Sequence, residues 1–166
     1  MQQTQDPRAF RAALGSFATG VTVITTRASD GTPVGLTANS FNAVSLDPPM
    51  VLWSLAKKSL SLPVFSASSH WAVHVLAADQ EALSARFARS GEDKFSGLQT
   101  ESGIGGVPLL SGCAARFQCS STFMHEGGDH IILVGQVTAF DSVQRAPLVF
   151  HAGRYVPVAT ELSQTA

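Results

Sequence analysis

The chain begins with apolar residues at helical spacing and then changes period. Phe10, Ala13, Leu14 and Phe17 recur every three or four residues behind Asp6-Pro7, a cap followed by a first-turn proline, which predicts a helix over 7–18. From Val21 the residues turn β-branched, VTVITT, and the polar turn Ser29-Asp30-Gly31 leads to a second extended run over 33–38, so the two runs read as a hairpin. After the Pro48-Pro49 break, apolar strands are predicted over 50–55 and 71–76, with a short helix across 62–67 between them. Asp79 caps a further helix over 79–88, on which Leu83 and Phe87 lie four apart. Residues 89–106 are rich in Gly and Ser and read as an excursion from the fold. Strands return over 114–121 and 131–140, and a last pair, 148–150 and 154–158, is joined at Ala152-Gly153.

Many short strands with irregularly placed helices predict a mainly β fold with added helices, a closed or nearly closed antiparallel barrel rather than a doubly wound sheet. The absence of a GxGxxG run after any strand leaves a Rossmann-type nicotinamide site without sequence support. At 166 residues the length suits one domain, placed over 10–158 between short tails at 1–9 and 159–166. Only 14% of residues are charged against 45% hydrophobic, a charge deficit whose simplest outlet is a self-association surface. Eleven basic and twelve acidic residues without a long run of either sign argue for no nucleic acid and no membrane surface as partner. The first residues, MQQTQDPRAF, lack the apolar core of a signal peptide, and the expected location is cytoplasmic. Cys113 and Cys119 lie six apart in a strand-like segment, on one face but not in contact, and read as reduced and structural. His70, His74, His125 and His151 show no metal-ligand spacing, so no metal is expected; nor does a GxSxG elbow point to a hydrolase.

The chemistry concentrates between Gly35 and Ser61. A strand runs into the small polar residues Thr37, Ala38, Asn39 and Ser40, and the strand over 50–55 runs into Lys57, Lys58, Ser59 and Ser61. Small residues let the main chain approach a flat heteroaromatic ring closely, and clustered cations with hydroxyls hold a phosphate by charge-assisted hydrogen bonds. The order of a ring-type loop, a strand and a phosphate-type loop suits a flavin mononucleotide. Each piece alone has a plainer reading: an ordinary polar turn, a solvated lysine loop. Gly127-Gly128-Asp129-His130 precedes the strand over 131–140, placing His130 either at the mouth of a pocket or in a satisfied turn. Arg89 and Lys94, in RSGEDKF, reach a nucleotide tail or belong to a surface loop.

Taken together, GVTVITT, the GLTANSF and AVSLDPP segments, the KKS loop, HWAVHVLAADQ, the DKF triplet, GGDH and the terminal PLVFHAGRY resemble the flavin reductase family, the small reductase components of two-component flavin monooxygenases. The resemblance runs from about Phe10 to Val158. It implies an antiparallel Greek-key split β-barrel of the FMN-binding type, a homodimer with sites near the subunit boundary, FMN or FAD as flavin, NADH or NADPH as hydride donor, and a monooxygenase receiving reduced flavin. By the same resemblance Thr37, Ala38, Asn39 and Ser40 line the flavin ring mainly through the main chain, and Ser54 and Leu55 border it. Lys58, Ser59 and Ser61 then hold the phosphate, while Arg89, Lys94 and Phe95 close over the ribityl or nucleotide part. His130, in the catalytic position, and Tyr155 fall beside the nicotinamide, and Trp71 stands where relatives carry Phe. Two other readings keep the same fold: a flavin-binding protein without turnover, and a pyridoxine phosphate oxidase-like enzyme in which Arg116 and Arg154 face the ring.

Overall fold

The computed structural model describes residues 6–91 and 93–158. In chain order its elements are α1 (Pro7–Gly15), β1 (Thr19–Gly20), β2 (Thr22–Arg27), β3 (Pro33–Ala38), β4 (Asn42–Leu46), β5 (Pro49–Ala56), α2 (Leu62–Ala67), β6 (His70–Val75) and α3 (Glu81–Ala88). There follow β7 (Glu101–Ser102), β8 (Pro108–Leu109), β9 (Ala115–Gly127), β10 (His130–Ser142), β11 (Val149–His151) and β12 (Arg154–Val156). The fold is mainly β with few helices, and its paired strands are antiparallel. The principal sheet has seven strands in the order β3-β2-β6-β9-β10-β5-β4, with a three-stranded sheet β1-β11-β12 and a β7-β8 pair beside it.

The connection between β3 and β4 shapes the whole sheet. These strands are its two opposite edges, yet only Asn39, Ser40 and Phe41 join them. Four Cα steps reach about 14 Å, whereas six inter-strand spacings in a flat sheet span about 29 Å. The sheet must therefore curl until its edges meet. Its concave side encloses Ile24, Trp53, Phe65, Trp71 and Leu133, all with no exposed surface. Trp53 on β5 and Trp71 on β6 come within 6.1 Å although β9 and β10 lie between their strands. Gly135 on β10 makes room for this pair, since a Cβ there would sit 2.4 Å from the Trp71 ring. Among the described residues no ladder joins the two edges, so of the closed or nearly closed barrel expected from strand count the sheet shows the curl but not the closure.

Several local expectations are corrected. α1 has the expected Asp6 cap, whose carboxylate accepts the Arg8 N–H at 2.9 Å, but it ends at Gly15 because the chain leaves to pair Thr19 with Phe150. Its apolar stripe is not buried: Phe10 and Leu14 face solvent, as does Phe17 just beyond. α3 starts at Glu81 rather than at Asp79, whose carboxylate instead pairs with Arg145 at 2.5 Å. β4, NAVSL, is an additional strand: its apolar residues Ala43, Val44 and Leu46 do not alternate strictly with polar ones, and they stay exposed. β9 runs to Gly127, beyond the expected end at 121, because its ladder with β10 continues through main-chain bonds where the side chains are exposed. Cys113 lies before β9 in a separate apolar cluster from Cys119. Both are free and buried, and burial pushes their thiols up to about 11 and about 12.

His74 is the buried histidine of the sheet. Its Nδ1–H donates to the Val23 carbonyl at 3.0 Å, and its Nε2 accepts the Leu110 N–H at 3.1 Å, which fixes a neutral ring. Burial lowers its pKa to about 4, from 6.5. The unfolded chain thus takes up a proton at this residue below pH 6.5 while the folded chain does so only near pH 4. Stability from this group is full above pH 6.5 and is lost as pH falls to about 4, at about 1.4 kcal/mol per unit and about 3 kcal/mol in all. Urea unfolding across that window should show the decline, and His74→Gln should flatten it; equal slopes in the two proteins would exclude His74 as its source.

Candidate functional site

The seam opens into a cavity of about 1090 Å³. One wall is the free edge of β3, which has β2 on one side and no strand on the other. An edge strand presents unpaired N–H and C=O groups, and residues 33–38 all line the cavity. Thr22 Oγ1 donates to the Ala38 carbonyl at 2.6 Å, steadying the end of this strand. The opposite wall is the end of β5, with Ser54, Leu55 and Ala56. The two walls are clasped by Ser40, whose Oγ accepts the Ser54 N–H at 2.9 Å and donates to the Ser54 carbonyl at 3.0 Å. Ser40 thereby fills, with one side chain, the place of a missing ladder pair.

Beyond β5 the loop carrying Lys58, Ser59 and Ser61 lines the same cavity. It is folded by local bonds: Ser59 N–H to the Ala56 carbonyl at 2.9 Å and Ser61 N–H to Ser59 Oγ at 3.3 Å. The two adjacent lysines part company. Lys57 forms an ion pair with Glu126, and its N–H donates to the Asp129 carbonyl at 2.9 Å, while Lys58 belongs to the cavity wall. The lysine pair read from sequence therefore supplies one cation to the site.

His130 arrives by register. The β9–β10 hairpin turns through Gly128, at φ 68°, and Asp129, and pairs His130 with Gly127 on one side and with Ala56 of β5 on the other. Asp129 Oδ1 lies 2.7 Å from His130 Nδ1, and this hydrogen bond holds the Asp129 carboxyl below the usual carboxylate range. An ionised carboxylate only accepts, so Nδ1 carries the proton toward it and Nε2 is the ring's other polar atom. Ile132, two residues on and opposite Ser54, lines the cavity as well.

The third side comes from α3 and the segment after it. Phe87, Arg89, Lys94 and Phe95 line the cavity, with Phe87 and Phe95 edge to face at 5.1 Å. Lys94 Nζ donates to the Gly35 carbonyl at 3.0 Å and the Phe87 carbonyl at 2.9 Å, so it ties the segment to β3 and α3. A Cβ at Gly35 would lie 2.7 Å from the Phe87 ring; only glycine lets α3 seat on this edge.

Of the residues singled out from sequence, Thr37, Ala38, Asn39, Ser40, Ser54, Leu55, Lys58, Ser59, Ser61, Arg89, Lys94, Phe95 and His130 thus meet in one cavity. Tyr155 does not: it is not among the lining residues, and its hydroxyl lies 2.8 Å from Ser84 Oγ on α3. Sequence reasoning missed Ile132 and Phe87. The two-residue period from His130 locates Ile132, but nothing local marks Phe87 as a wall. Among the described residues no group of three or more His, Cys, Asp or Glu side chains could hold a metal ion.

Comparison with known proteins gives the same region a family. Residues 14–159 match the family model described as "Flavin reductase like domain". The chain is 49% identical to an FMN reductase (NADH), SmoA, of Agrobacterium fabrum, over 91% of this chain and 86% of that protein. It is 43% identical to the reductase subunit HsaB of a flavin-dependent monooxygenase of Rhodococcus jostii, over 92% and 78%. Some other relatives are longer, and the chain spans about half of them (48%). Among solved structures, an NADH:FAD oxidoreductase of Streptomyces globisporus superposes with a TM-score of 0.90 at 36% identity, covering 97% of this chain and 98% of that one; it is also known in complex with NAD and FAD fragments. With the family model spanning nearly all of its length, this chain belongs to the flavin reductase like domain family.

Proposed function

We propose that the protein transfers hydride from NADH or NADPH to FMN or FAD and supplies the reduced flavin to a flavin-dependent monooxygenase. The observation that carries this reading is the single cavity in which an unpaired backbone edge, a lysine-serine loop and a histidine converge. The donor set fits the cofactor. Backbone N–H and C=O groups suit the polar edge of an isoalloxazine ring, and Lys58 with the Ser59 and Ser61 hydroxyls suits a phosphate. Ligand pockets commonly hold about 300–1,000 Å³, and a cavity of about 1090 Å³ leaves room for a second ring beside the first.

When bound, flavin supplies the hydride acceptor and the nicotinamide supplies the hydride. The protein's part is to hold, orient and exclude water. The β3 edge and Ser54–Leu55 fix the ring plane, and Lys58 neutralises phosphate charge. Arg89 and Phe95 border the extended part of the ligand. His130, fixed by Asp129 through Nδ1, offers Nε2 to the nicotinamide. No general acid or base is required of the protein for this transfer. The pyridoxine phosphate oxidase-like reading loses support: neither Arg116 nor Arg154 lines the cavity, and Arg116 is engaged by Asp141 and Glu101.

The curled sheet with its seam supports a Greek-key split barrel as the finer description of the fold. A homodimer is supported by the exposed apolar residues Phe10, Leu14, Phe17 and Phe140 on a chain poor in charge. No helix among the described residues is long and apolar enough to cross a membrane. The two reduced cysteines and the use of NAD(P)H agree with a cytoplasmic setting.

The deciding experiment mixes the purified protein with reduced nicotinamide and excess flavin without oxygen. Loss of the nicotinamide absorbance band with bleaching of the flavin is expected; no oxidation with either donor and either flavin would leave at most a flavin-binding protein. His130→Ala is expected to raise the KM for the nicotinamide or slow flavin reduction while flavin affinity stays within about twofold, the scale of a residue that does not bind flavin. Kinetics indistinguishable from the parent would remove His130 from the site. Replacing Lys58 and Ser59 together by Ala is expected to weaken flavin binding by about 2 kcal/mol, on the order of thirtyfold in Kd. An unchanged flavin titration would assign the phosphate elsewhere.

A further inference from the structure

We infer that Tyr155 is a positioning residue for the flavin wall, acting through Ser84 on the Thr37 edge of β3, and not a nicotinamide contact. The inference rests on the flavin reading above and gives a role to a residue outside the cavity. The Tyr155 hydroxyl and Ser84 Oγ are 2.8 Å apart, and Ser84, in the middle of α3, has no exposed surface. The Ser84 carbonyl in turn accepts a hydrogen bond of 2.6 Å from Thr37 Oγ1. Thr37 lines the cavity; Ser84 and Tyr155 do not. Three elements distant in sequence, β12, α3 and β3, are thus joined by two consecutive hydrogen bonds.

The need for such a link follows from the seam. Where β3 has no neighbouring strand, its position is set by what covers it, and α3 is the cover. α3 is a weak support by itself: eight residues, with no side-chain cap at Gln80. One end is held by Phe87 in the core and by Lys94. Its middle is held by the Tyr155 hydroxyl, on a ring that packs edge to face against Phe150 at 5.6 Å. Removing that hydroxyl leaves a fully buried Ser84 Oγ without this partner, and a buried hydroxyl in that state moves to find another. The carbonyl of the same residue then carries Thr37 with it.

Tyr155→Phe keeps the ring and its packing, and Ser84→Ala removes the other half of the link. FMN titration of the parent protein is the control, since no binding there would sink the flavin reading itself. With the parent binding, Tyr155→Phe is expected to raise the FMN Kd roughly fivefold, the scale of one net hydrogen bond, and to add nothing further in a Ser84→Ala background. In flavin-free protein the amides of residues 36–38 should exchange faster in Tyr155→Phe than in the parent. The nicotinamide KM at saturating flavin should not move. Unchanged Kd and exchange would overturn the inference, as would full additivity of the two substitutions. A raised nicotinamide KM with unchanged Kd would overturn it in favour of direct contact.

Discussion

The structure depends on one constraint of chain length: the two edges of a seven-stranded sheet are joined by three residues. That connection forces the curl, the curl makes the core, and the edges meet without pairing. Ser40, in the connection between them, is tied to β5 through both polar groups of Ser54. A completed ladder would satisfy the backbone of β3 and leave nothing for a ligand. The seam instead leaves one strand edge without a ladder partner beside a cavity, and the candidate site is the part of the sheet that the fold does not close.

Around the seam, neighbouring residues are sorted by direction. Lys57 goes outward to Glu126 and Lys58 inward, so one loop supplies both an anchor to the β9–β10 hairpin and a cation for the cavity. The same hairpin sets Asp129 against His130, and the register opposite Ala56 brings that histidine to the lysine loop. Exposed ion pairs such as Lys57–Glu126 contribute little to stability. Their value here is orientational, since the pair keeps one of two adjacent cations out of the site.

What was legible in the sequence follows from which forces shape each piece. β2, β3, β5 and β6 bury apolar side chains and so carry a period-two or continuous apolar signal. β4 and the second half of β9 are held by main-chain pairing with exposed side chains, and such pairing leaves no mark on composition. The apolar stripe of α1 was legible as a pattern, but none of its residues is buried within this chain, so the pattern did not say where the helix would sit. Residues 37–40 and 54–61 could be read as two corners of a site because each is contiguous. The side-chain role of Ser40 could not be read, since its partner, Ser54, is fourteen residues away on β5. The Tyr155–Ser84 contact was likewise not legible, since it joins residues 71 apart through the packing of α3.

A site built on a strand edge has a further consequence for how sequence encodes it. Hydrogen bonds from N–H and C=O groups do not change when side chains do, so most positions along β3 are limited only by size and by β conformation. Gly35 is the exception, because the Phe87 ring occupies the place of its Cβ. The wall is held in place by Gly35 and Phe87, which seat α3 on it, by Ser40, which ties the end of β3 to β5, and by Thr37 and Ser84, which join the edge to α3. On the proposed reading, hydride transfer needs a fixed plane with one open face rather than a proton donor, and a wall of backbone held from behind by such residues provides that plane.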